Sequence, residues 1–246
     1  MSSLEESLRR LVTPCTVVAL AGQRSSGPLA TCFGGPPYAE RGDAWPVCGG
    51  CGAGLTFVFQ WNAGELPHAP RPGLYVFYYC FNCNSWGDES DRGKSLWLLR
   101  RYAAPSAERS VHLDDRSPQD NRCTPCAVRI EPALSLPDWQ GIDEIEPELT
   151  DAAVALNSDN PWEVYDEVAK AILGSEPTLR TQVGGYPLWV QGEGTPDCRR
   201  CERRMRLLAQ IDSEDEASIM WGDCGCVYLF GCEEHTEEFR LELQCY

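Results

Sequence analysis

Gly34-Gly35-Pro36-Pro37, then Pro46-Val47-Cys48-Gly49-Gly50-Cys51, return 150 positions later as Gly184-Gly185-Tyr186-Pro187, then Pro196-Asp197-Cys198-Arg199-Arg200-Cys201. Between and beyond these blocks, Gly42/Gly192 and Gln60/Gln210 keep the same offset. A second cysteine motif follows each: Gly73-Leu-Tyr-Val-Phe-Tyr-Tyr-Cys80 matches Gly225-Cys-Val-Tyr-Leu-Phe-Gly-Cys232, and Cys83 is replaced by His235. Each half closes on a segment ending in tyrosine, Ser95 to Tyr102 and Phe239 to Tyr246. Self-similarity at an offset of 150, growing to 152 at the second motif, predicts a duplicated supersecondary unit. The Gly-Gly-x-Pro element is a turn where the backbone takes positive φ or makes a close approach. Leu55–Gln60 and Met205–Gln210 are apolar β-type runs, with the two glutamines placed to bond loop amides. Tyr75–Tyr79 and Val227–Gly231 are apolar on both faces, as in strands covered on both sides, and are expected to be central. The fold class expected is α+β and β-rich: an internally duplicated pseudo-twofold unit of antiparallel strands with zinc knuckles.

The cysteines carry the chemistry. The chain holds 14, eleven of them arranged as four C-x-x-C pairs, one C-x-x-H and one C-x-C. A C-x-x-C turn aims two sulfurs at one point about 2.3 Å away, and two such turns complete a tetrahedron. The expected ligand sets are Cys48, Cys51, Cys80, Cys83 and Cys198, Cys201, Cys232, His235. Both are closed, structural zinc sets with no open position for substrate. Disulfides are one alternative, and iron at the all-cysteine site another. Cys123 and Cys126, with Cys224 and Cys226, are read as a third zinc site, a reactive dithiol or plain buried thiols. Cys15, Cys32 and Cys245 read as buried small hydrophobes.

Around the two repeats the chain divides into 1–27 (an N-terminal helix and lead-in strand), 28–103 (first repeat), 104–177 (connector) and 178–246 (second repeat). Leu4, Leu8 and Leu11 share one face of the first helix. Glu5 and Glu6 stand where a secretion signal needs positive charge, and Pro14 interrupts the apolar run, so a cytoplasmic location is expected. The connector reads as irregular and exposed, with one helix from Pro161 to Leu173. It is capped by Asn160 or Asp159, closed by Gly174, and striped by Trp162, Tyr165, Val168, Ala169 and Ile172.

Composition excludes several classes. In 246 residues, 43% hydrophobic content argues against disorder, and no apolar run is long enough to span a bilayer. A net charge of −16 argues against nucleic acid and anionic lipid as partners and suits a basic protein. Phosphate-loop, dinucleotide, zinc-protease and serine-hydrolase motifs are missing. Two of three histidines, His68 and His112, fall in polar loops and read as surface residues. Arg199, Arg200, Arg203 and Arg204 form one basic corner. It is read as self-paired, as a protein-partner patch, or as a nucleic-acid contact.

Val183-Gly184-Gly185-Tyr186-Pro187, Leu207-Leu208-Ala209-Gln210-Ile211-Asp212, Ile219-Met220-Trp221-Gly222-Asp223 and Tyr228-Leu229-Phe230 together resemble the bacterial YwqG-like domain family of unknown function. Phe33-Gly34-Gly35-Pro36-Pro37-Tyr38 and Trp45-Pro46 match that family's opening motif. The repeated Gly-Gly-x-Pro, C-x-x-C, Leu-x-x-Gln and Tyr-x-Phe arrangement is more distantly similar to eukaryotic programmed cell death protein 2, a family linked to ribosomal-protein chaperoning. The resemblance implies a duplicated, β-rich α+β fold, whereas zinc rests on this sequence's own spacing. The function expected is that of a zinc-stabilised cytosolic protein-binding protein, chaperone-like or immunity-type, without catalysis of its own. It would carry two zinc ions and possess room for a third. A thiol-redox protein or enzyme using Cys123/Cys126 or Cys224/Cys226, and a nucleic-acid binder using the arginines, are the alternatives.

Overall fold

The computed structural model of the chain describes residues 2–23, 27–83 and 95–246. Ten strands form one antiparallel sheet: β1 (Thr13–Gln23), β2 (Cys32–Phe33), β3 (Thr56–Asn62), β4 (Leu74–Tyr79), β5 (Trp97–Tyr102), β6 (Cys126–Ser135), β7 (Gln182–Gly184), β8 (Arg206–Asp212), β9 (Cys226–Gly231) and β10 (Phe239–Gln244). Their order is β10-β9-β8-β7-β1-β6-β2-β3-β4-β5. The long pair β1/β6 is therefore the middle, with Thr13 opposite Ser135 and Val18 opposite Ile130. On one side β2 to β5 run outward, and on the other β7 to β10 do the same. A one-residue bulge falls between Phe57 and Phe59, and another between Leu207 and Ala209.

The apolar runs explain which strands are buried. All six residues of β4 and of β9 are buried. Alternate side chains point to opposite faces, so Tyr75, Phe77 and Tyr79 enter a central cluster while Leu74, Val76 and Tyr78 enter an outer one. Val227 and Leu229 meet the first set in the same central cluster, and Cys226, Tyr228 and Phe230 form the second outer cluster. The two wings thus pack face to face. Their far ends also meet: Tyr75 packs edge-on against Phe239 at 6.3 Å, and Arg101 pairs with Glu237 at 3.4 Å. β4 and β9 are second from the sheet's edges rather than central; their burial comes from packing on both faces.

A helical layer holds α1 (Ser2–Leu11), α2 (Pro147–Leu156) and α3 (Pro161–Leu173). Leu4 and Leu8 are fully buried against Tyr165, Val168 and Ala169 of α3 and Leu149 of α2. α3 has Asn160 at its N-cap position without a side-chain cap bond, Pro161 in its first turn, and Gly174 at φ +79° as its left-handed stop. Trp162 is 44% exposed, so the buried stripe begins at Tyr165. The segment 104–177 is not an irregular connector. It supplies β6 to the middle of the sheet and two helices rather than one. Among the described residues no helix is long and apolar enough to cross a membrane.

Candidate metal centres

Two groups of ligand atoms converge, and they are the two sets that the spacing predicts. In each of Cys48/Cys51/Cys80/Cys83 and Cys198/Cys201/Cys232/His235, all four donor atoms lie within 4.8 Å of one another. In the first, Cys48 Sγ stands 3.6 Å from Cys83 Sγ, and Cys51 Sγ 3.7 Å from Cys80 Sγ. In the second, Cys201 Sγ is 3.5 Å from Cys232 Sγ, and His235 Nδ1 is 3.6 Å from both Cys198 and Cys232 sulfurs. A tetrahedron with metal–sulfur bonds of about 2.3 Å has edges of about 3.8 Å, so the donor sets fit tetrahedral zinc. None of the 14 cysteines is paired in a disulfide.

The knuckle backbones are built alike. The Cys48 N–H donates to Ala53 O at 2.8 Å, and the Cys198 N–H to Arg203 O at 2.9 Å. The Gly52 N–H returns to Cys48 O, and the Glu202 N–H to Cys198 O. That return needs a left-handed residue: Gly52 sits at φ +75° and Glu202 at φ +57°. Only the first is conformationally free there. Glu202→Gly is therefore expected to stabilise the protein by about 0.5–1 kcal/mol, once the larger entropy of an unfolded glycine is subtracted. Urea denaturation reads this gain; a destabilised variant would contradict it.

Amide N–H groups also point at sulfur. Gly50 donates to Cys48 Sγ at 3.3 Å, and His235 to Cys232 Sγ at 3.3 Å. The bond from the Ala53 backbone helps hold Cys51 down to about 7. Burial opposes ionisation of Cys232, but backbone donors beginning with His235 bring it down to about 6. Burial pushes Cys80 well up. Four thiols this close cannot all ionise without a cation among them.

The buried glutamines fasten the loops beside each knuckle. Gln60 Oε1 accepts from the Tyr38 N–H at 2.8 Å, and its Nε2 donates to Pro28 O and Ala30 O. Gln210 Oε1 accepts from the Leu188 N–H at 3.0 Å, and its Nε2 donates to Arg180 O. Gly185 must be glycine: at φ +76°, a Cβ would stand 2.8 Å from Ser135 and 2.9 Å from Cys15.

Each wing also reaches the other's knuckle. The Arg71 guanidinium donates to Cys232 O and to Thr236 O. Trp221 stacks on Phe81, between Cys80 and Cys83, with ring centroids 5.3 Å apart.

The remaining candidates do not gather. Cys123 and Cys126 lie in the central cluster, Cys226 lies in an outer one, and Cys224 is exposed. Among the described residues no third group of ligands converges. Redox chemistry needs an accessible thiolate, and of these four thiols Cys123, Cys126 and Cys226 are buried. Burial pushes Cys123 up to about 12 and raises Cys126 and Cys226 as well. The arginine corner is largely self-paired. Arg203 meets Glu234 at 2.6 Å, Arg204 meets Glu193 and Glu144, and Arg206 meets Glu233 at 2.7 Å. Arg199 and Arg200 are exposed beside them.

One feature escaped the motif reading. A cleft of about 600 Å³ opens beside the second knuckle, between the Pro67–Pro70 loop, the start of β1, residues 137–145 and the Gly184–Trp189 loop. His68 lines it, and is half-buried rather than a free surface residue. Asp138 lies in it too. Its Oδ1 accepts from the Gly141 N–H at 2.9 Å and its Oδ2 from the Trp189 N–H at 2.6 Å.

Residues 31–238 match the family model described as a domain of unknown function, DUF1963. A stretch of 56 residues, 23% of the chain, is 39% identical to the uncharacterised protein YpfL of Salmonella typhimurium, and covers 13% of that protein's length.

Proposed function

The chain belongs to the DUF1963 family of domains of unknown function, and from that premise we propose that it is a zinc-pinned protein-binding protein with no catalysis of its own. The observation that carries the reading is the pair of closed donor sets, each with four ligands facing one another and no position left for a substrate. Such sites hold a fold rather than perform a reaction. His235 supplies a nitrogen to the second set, which favours zinc over an iron–sulfur centre there. The cytosol, where thiols stay reduced, suits 14 free cysteines.

The two wings are read as copies of one unit. The strand order repeats, and the two bulges, the two glutamine anchors and the two knuckle bonds recur at one spacing of 150, and this supports duplication. The surface speaks for the partner. With seven thiolates and two dications added to a net charge of −16, the loaded protein carries about −19. That field steers a basic protein and repels nucleic acid. A chaperone-like or immunity-type role is the matching biology.

Elemental analysis with thiol counting tests the metal. Two zinc ions per chain are expected, with seven cysteines protected from alkylation until chelator is added. A metal-free protein with oxidised knuckle cysteines would remove the basis of the reading. Affinity capture from native lysate, with Cys198→Ser as control, tests the partner. A basic protein lost with the variant is expected; recovery of none, or of nucleic acid instead, would count against it.

A further inference from the structure

We propose that the cleft beside the second knuckle receives the ammonium of a lysine side chain from a basic protein partner, with the Asp138 carboxylate as its counter-ion. This rests on the protein-binding reading and assigns it a contact point. The cleft, about 600 Å³, is of the size that takes a side chain and its flanking backbone. Pro14, Pro70 and Pro187 and the rings of Tyr186 and Trp189 line it. Such walls suit the methylene stem of lysine, and the aromatic faces suit its charged end.

The charge balance points to a cation. Asp138 is held by neutral backbone donors only, the Gly141 N–H on one oxygen and the Trp189 N–H on the other, with the Gln140 N–H adding to them, and these fix its direction without neutralising it. The carboxylate keeps acceptor capacity beyond these bonds. Among the described residues no cationic side chain pairs with it. The arginines on the cleft wall are already engaged, Arg204 by Glu193 and Glu144 and Arg206 by Glu233. An anionic ligand would meet Asp138 and arginines whose charge is spent. Burial also pushes the Asp138 carboxyl up to about 6, with Asp166 adding to the rise, so a bound cation relieves an ionised group short of solvent. Ammonium fits better than guanidinium. A guanidinium fork seeks both oxygens in one plane, and here each already holds an N–H, whereas ammonium acts as a point charge.

The test titrates the full-length metal-loaded protein with acetyl-Gly-Lys-Gly-amide, with its norleucine counterpart and with polylysine. It follows the amide resonances of Trp189 and Gly141, which both donate to Asp138. The lysine peptide is expected to shift both saturably and to bind at least about tenfold more tightly than the norleucine peptide. Asp138→Asn should remove that preference while keeping the metal content. Equal binding of the two peptides, or an undiminished lysine preference in Asp138→Asn, would overturn the proposal. The comparison of peptides on the wild type decides the matter even if the variant fails to fold. Polylysine bound equally by both proteins, with no response to the tripeptide, would overturn the cleft and leave the protein-binding reading standing. No polylysine binding at all would remove both.

Discussion

Complete chelation is expected to unfold most of the chain, with loss of the far-ultraviolet strand signal and of any cooperative thermal transition. Structural zinc contributes on the order of 10 kcal/mol or more per site in apparent terms, against a total domain stability of about 5–15 kcal/mol. The architecture gives that number a place to act. β4 runs into Cys80 and β9 into Cys232, so each knuckle fixes the end of a fully buried strand. The outer clusters are small, and the ligands Cys48, Cys80, Cys198 and Cys232 are members of them. Without a cation, sulfurs 3.5–3.7 Å apart hold one another's protons or repel. Acid should act the same way, since ligand thiolates must be deprotonated and affinity falls as pH falls. Circular dichroism before and after chelation measures the effect. A native spectrum retained after complete metal removal would refute it.

The parts of this architecture that were legible in the sequence are those fixed by local chemistry. Tyr75–Tyr79 and Val227–Gly231 stand out because both faces of each run are apolar, and the strands there are buried on both faces. The eight ligands stand out because a tight turn between two donors has a fixed spacing. Where the determinant is long-range, local pattern fails. β6 reads CAVRIEPALS, with Pro132 inside it and most residues at least partly exposed, so nothing in its own composition marks it as the partner of β1. α2 buries only Leu149 and Ala153, too thin a stripe to recognise. Cys123 and Cys126 share the knuckle spacing, yet Cys226 faces another cluster, and convergence is a property of the fold. Asp138 became visible only because Trp189, 51 residues on, bonds to it.

The same distinction sets the second large effect, that of Trp221→Ala. Trp221 is 1% exposed, with Phe81 stacked at 5.3 Å, Tyr79 edge-on at 5.0 Å and Phe77 at 6.4 Å. Its indole N–H donates to Asp212 O at 3.2 Å. Truncation removes a large buried ring, leaves a cavity and strips a carbonyl of its donor, which together should cost about 3–5 kcal/mol. For a chain of this size that lowers Tm by roughly 6–20 °C. The position of the loss matters as much as its size. Trp221 belongs to the C-terminal half, but the aromatic rings it supports flank Cys80 in the N-terminal half, one of them lying between Cys80 and Cys83. Metal should therefore leave the all-cysteine site faster in the variant, while the Cys198/Cys201/Cys232/His235 site, braced by Arg71 from the other direction, keeps its rate. Competition with a chromophoric chelator separates the two rates, and Trp221→Phe should restore much of the stability through retained ring contact. A Tm within about 2 °C of wild type would sink the stability claim, since even 1 kcal/mol moves it that far. Equal acceleration at both sites would show instead that Trp221 supports the fold generally and does not brace the opposite knuckle.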